Sequence, residues 1–371
     1  MLDDAEREAV LGSVEGAQLR LFRARGSEIV RPDHPVTGSA VNRREREPAC
    51  CAGKIQERTV TDEALPVGAA DDLSDVCAFW NTEPCGAHFV PKLGDERATF
   101  AEYRRFRYRT EWHIPGFAAF EEARGKRVLE IGCGSGADPV MFAATHGACD
   151  VGVDLTQKAV DATRRHLALQ GLEGRCELAN VERLRYEDDS FDVVYSYGVL
   201  HHTRSPERAM QEVWRVLKPG GVALVMLYHR HSFNYYVRIL LYMRARLLLE
   251  ILRRRGKADS MVPAEQSLGG LRGKAAAEVW DGHYENFRRL GWSYLRGDTF
   301  VRHCTDGPDC PCAYVFGRRD IARLFRRFTT IGTRAAHFPL NKYPLARLVP
   351  RAVERALGAA LAGHLLVRAV K

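Results

Sequence analysis

The sequence predicts an α/β fold with a doubly wound, mostly parallel sheet. Between residues 126 and 229, short apolar runs that look like buried strands alternate with helical patterns. A glycine-rich stretch follows the first of these runs, and the alternation resumes near the end of the chain after a long departure. Strands alternating with helices of this length are typical of a parallel sheet with helices on both faces.

Seven strands are predicted, namely KRVLEI, CDVGVDL, RCELANV, FDVVYSYGVL, VALVMLYH, FTTIGTRAAHF and HLLVRAVK. The helices between them are predicted at ADPVMFAATHG, TQKAVDATRRHLALQG, SPERAMQEVWRVLKPGG and RRDIARLFRRF. Thr156 and Ser205 are of the residue types that cap a helix start, and Pro206 suits a first helical position. Gly220 is the expected exit of the third helix.

We divide the chain into five segments by composition and hydrophobic pattern. Residues 1–75 read as a flexible or irregular extension, 76–125 as a helical lid, 126–229 as the core, 230–317 as an insertion that caps the substrate pocket, and 318–371 as the completion of the sheet. The lid is rich in aromatic residues that are expected to cover a ligand, namely Trp80, Phe89, Tyr103, Phe106, Tyr108 and Trp112.

Composition excludes several classes of protein. The 371 residues are 46% hydrophobic and 27% charged, which is ordinary for a globular protein. The net charge is +8, yet residues 126–229 hold 12 basic and 14 acidic side chains, so a nucleic-acid stripe across the core is not expected. The N-terminus begins with acids and lacks a secretory apolar run, so we expect a cytoplasmic protein.

Ten cysteines are scattered along the chain, and we expect reduced thiols. One group invites a zinc interpretation, formed by His303, Cys304, Cys310 and Cys312. Its spacing lacks the paired C-x2-C knuckles of a structural zinc site. We therefore predict no metal.

The stretch RVLEIGCGSGAD raises the question of which ligand its glycine turn serves. Gly132, Gly134 and Ala137 fit the permissive dinucleotide pattern G-x-G-x-x-A, so the glycines alone do not decide. Glu130 stands two residues before the first glycine, where a carboxylate suits a ligand ammonium and would repel a pyrophosphate. Asp154 ends the next strand, where it can accept both ribose hydroxyls.

With the third glycine, Gly136, the turn reads E-x-G-x-G-x-G, and Asn180-Val181, YGVLHH and VLKPGG follow in order. The segment from Val128 to Leu227 resembles a class I S-adenosylmethionine-dependent methyltransferase of the type 11 or ubiquinone-biosynthesis-like group. The resemblance implies a Rossmann-like, seven-stranded fold and S-adenosyl-L-methionine as cofactor.

The resemblance also implies roles for individual residues. The loop around the methionine part of the cofactor would be formed by Glu130, Gly132, Cys133, Gly134 and Gly136. Asp154 would bind the ribose, and Leu155 would lie against the adenine. Many relatives have an aspartate where this chain has Asn180, whose amide oxygen can still accept a hydrogen bond. Val181 would offer its backbone N–H, and Tyr197 would lie beside the sulfonium.

Methyl transfer needs alignment of the nucleophile, exclusion of water and, for some acceptors, a base. Histidine suits that base, and three histidines follow the ends of two core strands: His201, His202 and His229. We carry all three as catalytic candidates, against the alternative that they are structural.

The acceptor is less constrained. We expect a small or medium organic molecule methylated at O, N or C, with an apolar or lipid-like molecule among the candidates, and no nucleic acid. RNA or protein methylation, a non-catalytic S-adenosylmethionine-binding protein and an NAD-dependent oxidoreductase stay open as alternatives. In the insertion, Arg238, Tyr242, Arg246, Glu250 and Arg253 share one helix face. This helix either packs on the core or contacts a membrane or lipid-like substrate, aided by Arg253 to Arg255. The oligomeric state is left undetermined.

Overall fold

The computed structural model describes residues 28–30, 73–82, 94–145, 149–254, 276–338, 350, 352–353, 356 and 361–371. Every structural statement below concerns these residues. Most of the predicted extension 1–75, Phe89, Arg255 and the rest of the Gly/Arg-rich passage to residue 275 lie outside them.

The core is an eight-stranded sheet. Its strands are β1 (Glu28–Val30), β2 (Arg127–Ile131), β3 (Cys149–Asp154), β4 (Arg175–Leu178), β5 (Phe191–Tyr197), β6 (Leu217–Tyr228), β7 (Thr330–Ala336) and β8 (His364–Val370). Their order is β1-β7-β8-β6-β5-β2-β3-β4. Strands β2 to β6 pair in parallel, and β8 runs antiparallel between β6 and β7. The predicted fold class and all seven predicted strands are confirmed; β1, which pairs antiparallel with β7, was not predicted.

Helices connect the strands and precede the sheet. They are α1 (Ser74–Thr82), α2 (Glu96–Thr110), α3 (Ile114–Ala118), α4 (Ala137–Ala144), α5 (Gln157–Gln170), α6 (Pro206–Val216), α7 (Arg244–Arg254), α8 (Ala276–Leu290), α9 (Gly297–Thr305) and α10 (Arg318–Leu324). A π-helix, Asn234–Met243, runs directly into α7, and we call the two together the insertion helix. Short 3-10 turns cover Phe120–Ala123, Leu200–His202 and Gly291–Leu295.

Both faces of the sheet are buried, as a doubly wound fold requires. Neighbouring residues of one strand enter different core clusters: Leu129 packs in one and Val128 in the other, and Val194 and Val193 are divided likewise. The alternation follows from the two-residue period of a strand. Burial on both faces explains why the central strands read as continuous apolar runs in the sequence.

Helix starts follow the sequence closely. Thr156 caps α5 by accepting from the Ala159 N–H, and Ser205 caps α6 by accepting from the Arg208 N–H. The predicted exit of α6 at Gly220 is wrong. The helix ends at Val216, because Leu217 already pairs with Phe191 in the sheet.

The insertion after β6 forms its own apolar cluster beside the sheet. Ile239, Met243 and Leu247 of the insertion helix pack there with Tyr294 and Phe300. Within the described residues, no helix combines the length and the apolar character that crossing a bilayer requires.

Candidate active site

A cavity of about 950 Å³ lies at the carboxyl ends of the parallel strands. This edge is where doubly wound sheets bind ligands. Nine of the ten residues predicted to hold a cofactor line it, namely Glu130, Gly132, Cys133, Gly134, Asp154, Leu155, Asn180, Val181 and Tyr197. Its volume is near the upper end of ordinary ligand pockets, about 300 to 1,000 Å³. The cavity can therefore accommodate more than one small molecule.

The glycine turn after β2 is shaped by two different constraints. Gly132 has a φ of 83°, and a Cβ there would lie 2.1 Å from Cγ2 of Val199, so packing excludes a side chain. Gly134 has a φ of 55°, but a Cβ there would meet no atom within 4 Å. Gly134 also lines the cavity. A side chain at Gly134 would thus project into space that a ligand can use.

Hydrogen bonds fasten the turn to the end of β3. The Gly132 and Cys133 N–H groups both donate to the Val153 carbonyl, at 2.7 and 3.2 Å. The Gly134 N–H donates to Asp154 Oδ2 at 3.1 Å. The turn and Asp154 are therefore held side by side across two adjacent strands.

Asp154 is held in a fixed orientation. Its Oδ1 accepts from the backbone N–H and the hydroxyl of Thr156, at 3.0 and 2.9 Å. Burial raises the pKa of Asp154, while the hydrogen bonds from Thr156 and Gly134 act in the opposite direction. A fixed carboxylate of this kind retains lone pairs that can accept ligand hydroxyls.

Gly136 is the one predicted cofactor residue away from the cavity wall. It precedes α4 with a φ of 78°, and a Cβ there would lie 3.0 Å from the Cα of Thr163. Its role in this structure is the close packing of α4 against α5. Cys133 lines the cavity, but its Sγ points to Cys176 Sγ at 3.0 Å.

Asn180 lines the cavity just after the end of β4. Its Oδ1 already accepts the Glu182 N–H at 2.9 Å, which leaves one oxygen lone pair and the amide N–H groups for a ligand. Glu130 is 3% exposed and lines the cavity from the middle of the sheet. A buried carboxylate at this position favours a cationic ligand group.

Tyr197 joins the cavity to a polar cluster that the sequence did not predict. Its hydroxyl lies 3.1 Å from Glu111 Oε1, 2.8 Å from His113 Nε2 and 3.0 Å from His364 Nδ1. Because a carboxylate only accepts, the hydroxyl donates to Glu111 and accepts from the two rings. Burial raises the pKa of Tyr197 well above its usual value, so the phenol stays neutral.

The three catalytic candidates occupy different environments. His201 is completely buried, stacks 3.9 Å from Tyr228 and does not line the cavity. Burial lowers the pKa of His201 well below its usual value. His229 is likewise off the cavity wall, with Nδ1 3.0 Å from the Ala362 carbonyl, and burial lowers its pKa.

His202 is the candidate that reaches the cavity. Its Nδ1 lies 2.7 Å from the Cys312 carbonyl, so this nitrogen carries a proton. Its Nε2 lies 3.6 Å from Asp306 Oδ2. Tyr228 donates to the same carboxylate at 3.1 Å. The ring is thus oriented by the segment that ends the insertion.

A buried carboxylate of the core, Asp138, is one of the groups that fasten the lid. Asp138, in the first turn of α4, accepts from Arg107 Nη2 at 2.8 Å and from the hydroxyls of Tyr108 and Tyr195 at 2.8 and 3.0 Å. Of the aromatic residues expected to cover the ligand, three line the cavity: Trp80, Tyr103 and Phe106. Tyr108 is buried in the core, and Trp112 is 37% exposed.

A second part of the cavity wall comes from the insertion and the end of the chain. Its residues are Tyr228, Phe233, Asn234, Arg238, Asp306, His337, Phe338, Leu361 and His364. The predicted cap, residues 230–317, contains Phe233, Asn234, Arg238 and Asp306, although no motif singled them out as pocket residues. No signal in the sequence pointed to His337, Phe338, Leu361 and His364. This wall lies apart from the glycine turn in the sequence and is the natural place for an acceptor.

Two groups of potential metal ligands occur among the described residues, Glu111 with His337 and His364, and His202 with Asp306 and Cys310. In the first group Arg107 lies 3.6 Å from Glu111, and its positive charge opposes a dication. The four-residue group weighed from the sequence is not gathered around one point. His303 Nδ1 instead contacts the Pro308 carbonyl at 2.7 Å.

Comparison with known proteins assigns the core. Residues 129–225 match the family model described as a methyltransferase domain. The chain is 34% identical over 138 residues to 24-methylenesterol C-methyltransferase 2 of Oryza sativa subsp. japonica, which covers 36% of each protein. It is 32% identical over 107 residues to methyltransferase GfsG of Streptomyces halstedii (28% of this chain, 38% of that protein). It is 32% identical over 98 residues to a ubiquinone biosynthesis O-methyltransferase of Coxiella burnetii (26% and 42%).

The chain spans less than half of the length of each of these relatives. Among solved structures, it is similar to YcgJ of Bacillus subtilis, with a TM-score of 0.40 and 17% identity over 70% of this chain and 98% of that one. It is also similar to a structure of a Haloferax volcanii complex between the Trm112 methyltransferase activator and a putative methyltransferase. The TM-score is 0.43, and the identity is 16% over 75% of this chain and 99% of that one. Neither of these two similarities bears on function.

Proposed function

Because residues 129–225 belong to the class I S-adenosylmethionine-dependent methyltransferase domain, we propose that this chain methylates a small or medium organic acceptor bound in the cavity. S-adenosylmethionine is the methyl donor of this family. One observation carries the proposal: the same cavity is lined both by the glycine turn and Asp154 and by residues of the insertion and of the segment around β8.

The residues present fit the cofactor. The space beside Gly134 is open, and the buried Glu130 faces the same cavity, where it suits the ammonium of a methionine group. Asp154 would accept the ribose hydroxyls, Leu155 would contact the adenine, and Asn180 and Val181 would meet its polar edge. When bound, the cofactor supplies an electrophilic methyl group on a sulfonium.

The chain itself has two tasks in such a reaction, to align the acceptor and to keep water out. The lid residues Trp80, Tyr103 and Phe106 line the cavity above the core and exclude water from it. Tyr197, held by Glu111, His113 and His364, presents a neutral, fixed ring between the two parts of the cavity.

We propose His202 as the group that takes the acceptor's proton. It is the one of the three histidine candidates on the cavity wall, and its protonated Nδ1 leaves Nε2 to bind a proton. Asp306, 3.6 Å from Nε2, stabilises the resulting imidazolium. The acceptor keeps its electron pair for the methyl group, and the proton passes from Nε2 to solvent.

The relatives favour a small molecule as acceptor. One is named for a sterol, and another for ubiquinone biosynthesis. The part of the cavity wall that comes from the insertion and the end of the chain combines the aromatic Phe233 and Phe338 with the charged Arg238. This combination suits an acceptor that is mostly apolar and carries one polar group.

The test is incubation of the purified protein with S-adenosylmethionine labelled in the methyl group and a metabolite extract, followed by mass spectrometry. A labelled small-molecule product supports the proposal; label only in RNA or protein, or in nothing despite tight cofactor binding, contradicts it.

His202→Gln is compared with His231→Gln, an exposed histidine outside the cavity. We expect turnover to fall about 10²- to 10⁴-fold in the first alone, with cofactor affinity unchanged. Equal turnover in both variants would remove the base assignment.

A further inference from the structure

The outer face of the insertion helix is apolar. Its exposed residues are Tyr236, Val237, Leu241, Tyr242, Ala245, Leu248, Leu249, Leu252 and Arg253. Only Arg253 in this set is charged. Leu241 is 65% exposed and Leu252 is 59% exposed, so more than half of each residue is in contact with solvent. We call this surface the apolar face.

Other charged residues of the same helix contact the cavity or the rest of the insertion. Arg238 donates to Asn234 Oδ1 at 3.1 Å and lines the cavity. Arg246 lies 5.2 Å from the ring centroid of Trp280, and Arg254 pairs with Glu250 at 2.8 Å. A helix on the surface of a soluble protein normally exposes such residues and buries its leucines.

The apolar face is not needed to hold the helix in place. The inner row formed by Ile239, Met243 and Leu247 is almost fully buried and already anchors the helix to the insertion cluster. The helix spans 21 residues, of which the 11 α-helical ones alone extend about 16 Å at 1.5 Å per residue. An exposed apolar strip along a whole helix is typical of a surface that contacts another molecule.

We propose that the apolar face binds the surface of an anionic phospholipid bilayer, with the helix lying in the plane of the membrane interface. Leucine and valine side chains would enter the boundary between headgroups and acyl chains. Tyr236 and Tyr242 are aromatic residues of the kind that prefer this interface.

Charge favours a bilayer over a second copy of the chain. Arg253 is exposed and gives the end of the face a positive charge, whereas Arg254 beside it pairs with Glu250 and Asp281. Anionic headgroups complement the charge of Arg253. In a symmetric dimer along the same face, the second copy contributes the same arginine and offers it no complementary charge.

The apolar face begins at the cavity. Phe233, Asn234 and Arg238 line the cavity, and the face continues outward from Tyr236 along the same helix. If the proposed methyl transfer holds, an apolar acceptor could pass from the bilayer to the cavity along this helix. The membrane contact itself does not depend on that activity.

Vesicle flotation with the full chain tests the proposal. The vesicles contain phosphatidylcholine alone or phosphatidylcholine mixed with phosphatidylglycerol. We compare the unchanged protein with Leu241→Glu, with Leu252→Glu and with a matched control, Leu178→Glu, which alters a 53% exposed leucine on β4. Far-UV circular dichroism verifies that each variant is folded.

We expect binding to the anionic vesicles, a loss of at least about tenfold in the partition coefficient for Leu241→Glu and Leu252→Glu, and no loss for Leu178→Glu. Absence of vesicle binding overturns the proposal. The proposal is also overturned if added salt abolishes vesicle binding while Leu241→Glu and Leu252→Glu leave it unchanged. The apolar face would then take no part in the binding. A dimer in light scattering that Leu241→Glu dissociates, with no vesicle binding, assigns the face to a second copy instead. Cofactor affinity is measured separately, so failure of the methyltransferase proposal would be recognised by itself.

Discussion

Substitution of Gly134 by alanine distinguishes the contribution of this glycine to stability from its contribution to cofactor binding. The φ of 55° places Gly134 in the left-handed region, where alanine costs about 1 to 2 kcal/mol. The new methyl meets no protein atom within 4 Å, so no packing cost is added. For a chain of this size we expect the melting temperature to fall by only about 1 to 3 °C.

Cofactor binding should respond much more strongly than stability does. The methyl of Gly134→Ala projects into the open space beside the turn, where we place the methionine part of the cofactor. We expect affinity for S-adenosylmethionine, measured by isothermal titration calorimetry, to fall at least about tenfold, which is 1.4 kcal/mol.

Gly171→Ala is the matched control. Gly171 has a φ of 65°, also meets nothing within 4 Å of an added Cβ, and ends α5 away from the cavity. It should show the same small loss of stability with unchanged cofactor affinity. If Gly134→Ala bound the cofactor as tightly as Gly171→Ala, the methionine part of the cofactor would not lie beside the glycine turn.

Three further predictions concern the same core. Gly132→Ala should lower the free energy of unfolding by about 2 to 5 kcal/mol in urea titrations, because its Cβ would lie 2.1 Å from a neighbouring side chain and its φ is 83°; a change below about 1 kcal/mol would contradict the packing described. Asp154→Ala should abolish detectable cofactor binding in calorimetry, whereas Asp161→Ala, on the exposed side of α5, should not; equal affinities would remove the ribose assignment. Burial lowers the pKa of His166 from 6.5 to about 4, so the folded state binds fewer protons than the unfolded chain and stability falls as the pH drops below about 6.5. Between pH 7 and pH 5 the protonation of His166 should lower the free energy of unfolding by about 2 kcal/mol. If a His166→Gln variant lost as much stability over this pH range as the unchanged protein, the assignment to His166 would be contradicted.

The core was predictable because its signals are local. A strand, a glycine turn and a helix cap each depend on a few consecutive residues, as at Gly132, Thr156 and Ser205. The misplaced end of α6 shows the limit of such signals. Gly220 is a plausible stop, but strand pairing at Leu217 ended the helix earlier, and pairing is a tertiary effect.

The acceptor side of the cavity was not predictable for the same reason. Glu111 is separated from His337 and His364 by more than two hundred residues in the sequence, and the three meet only because β7 and β8 return to the sheet beside β6. The same limit applies to two residues that are adjacent in the sequence. His201 and His202 are neighbours in sequence, yet a 3-10 turn buries one and turns the other to the cavity.

The insertion helix was predicted as a helix, but its orientation was not. Its residues are apolar on more than one side, and sequence periodicity does not say which side packs inward. The inward direction of Arg238 and Arg246 is set by partners that lie far along the chain, the Cys304 carbonyl and Trp280.

A crystal structure of the chain with S-adenosylhomocysteine, the demethylated cofactor, tests the assignment of the cavity most directly. We expect the ribose hydroxyls at Asp154, the amino-acid end between Glu130 and Gly134, and the sulfur beside Tyr197, facing the wall formed by Asp306 and His364. A ligand bound elsewhere, or a protein that does not bind it at all, would contradict the assignment of the cavity.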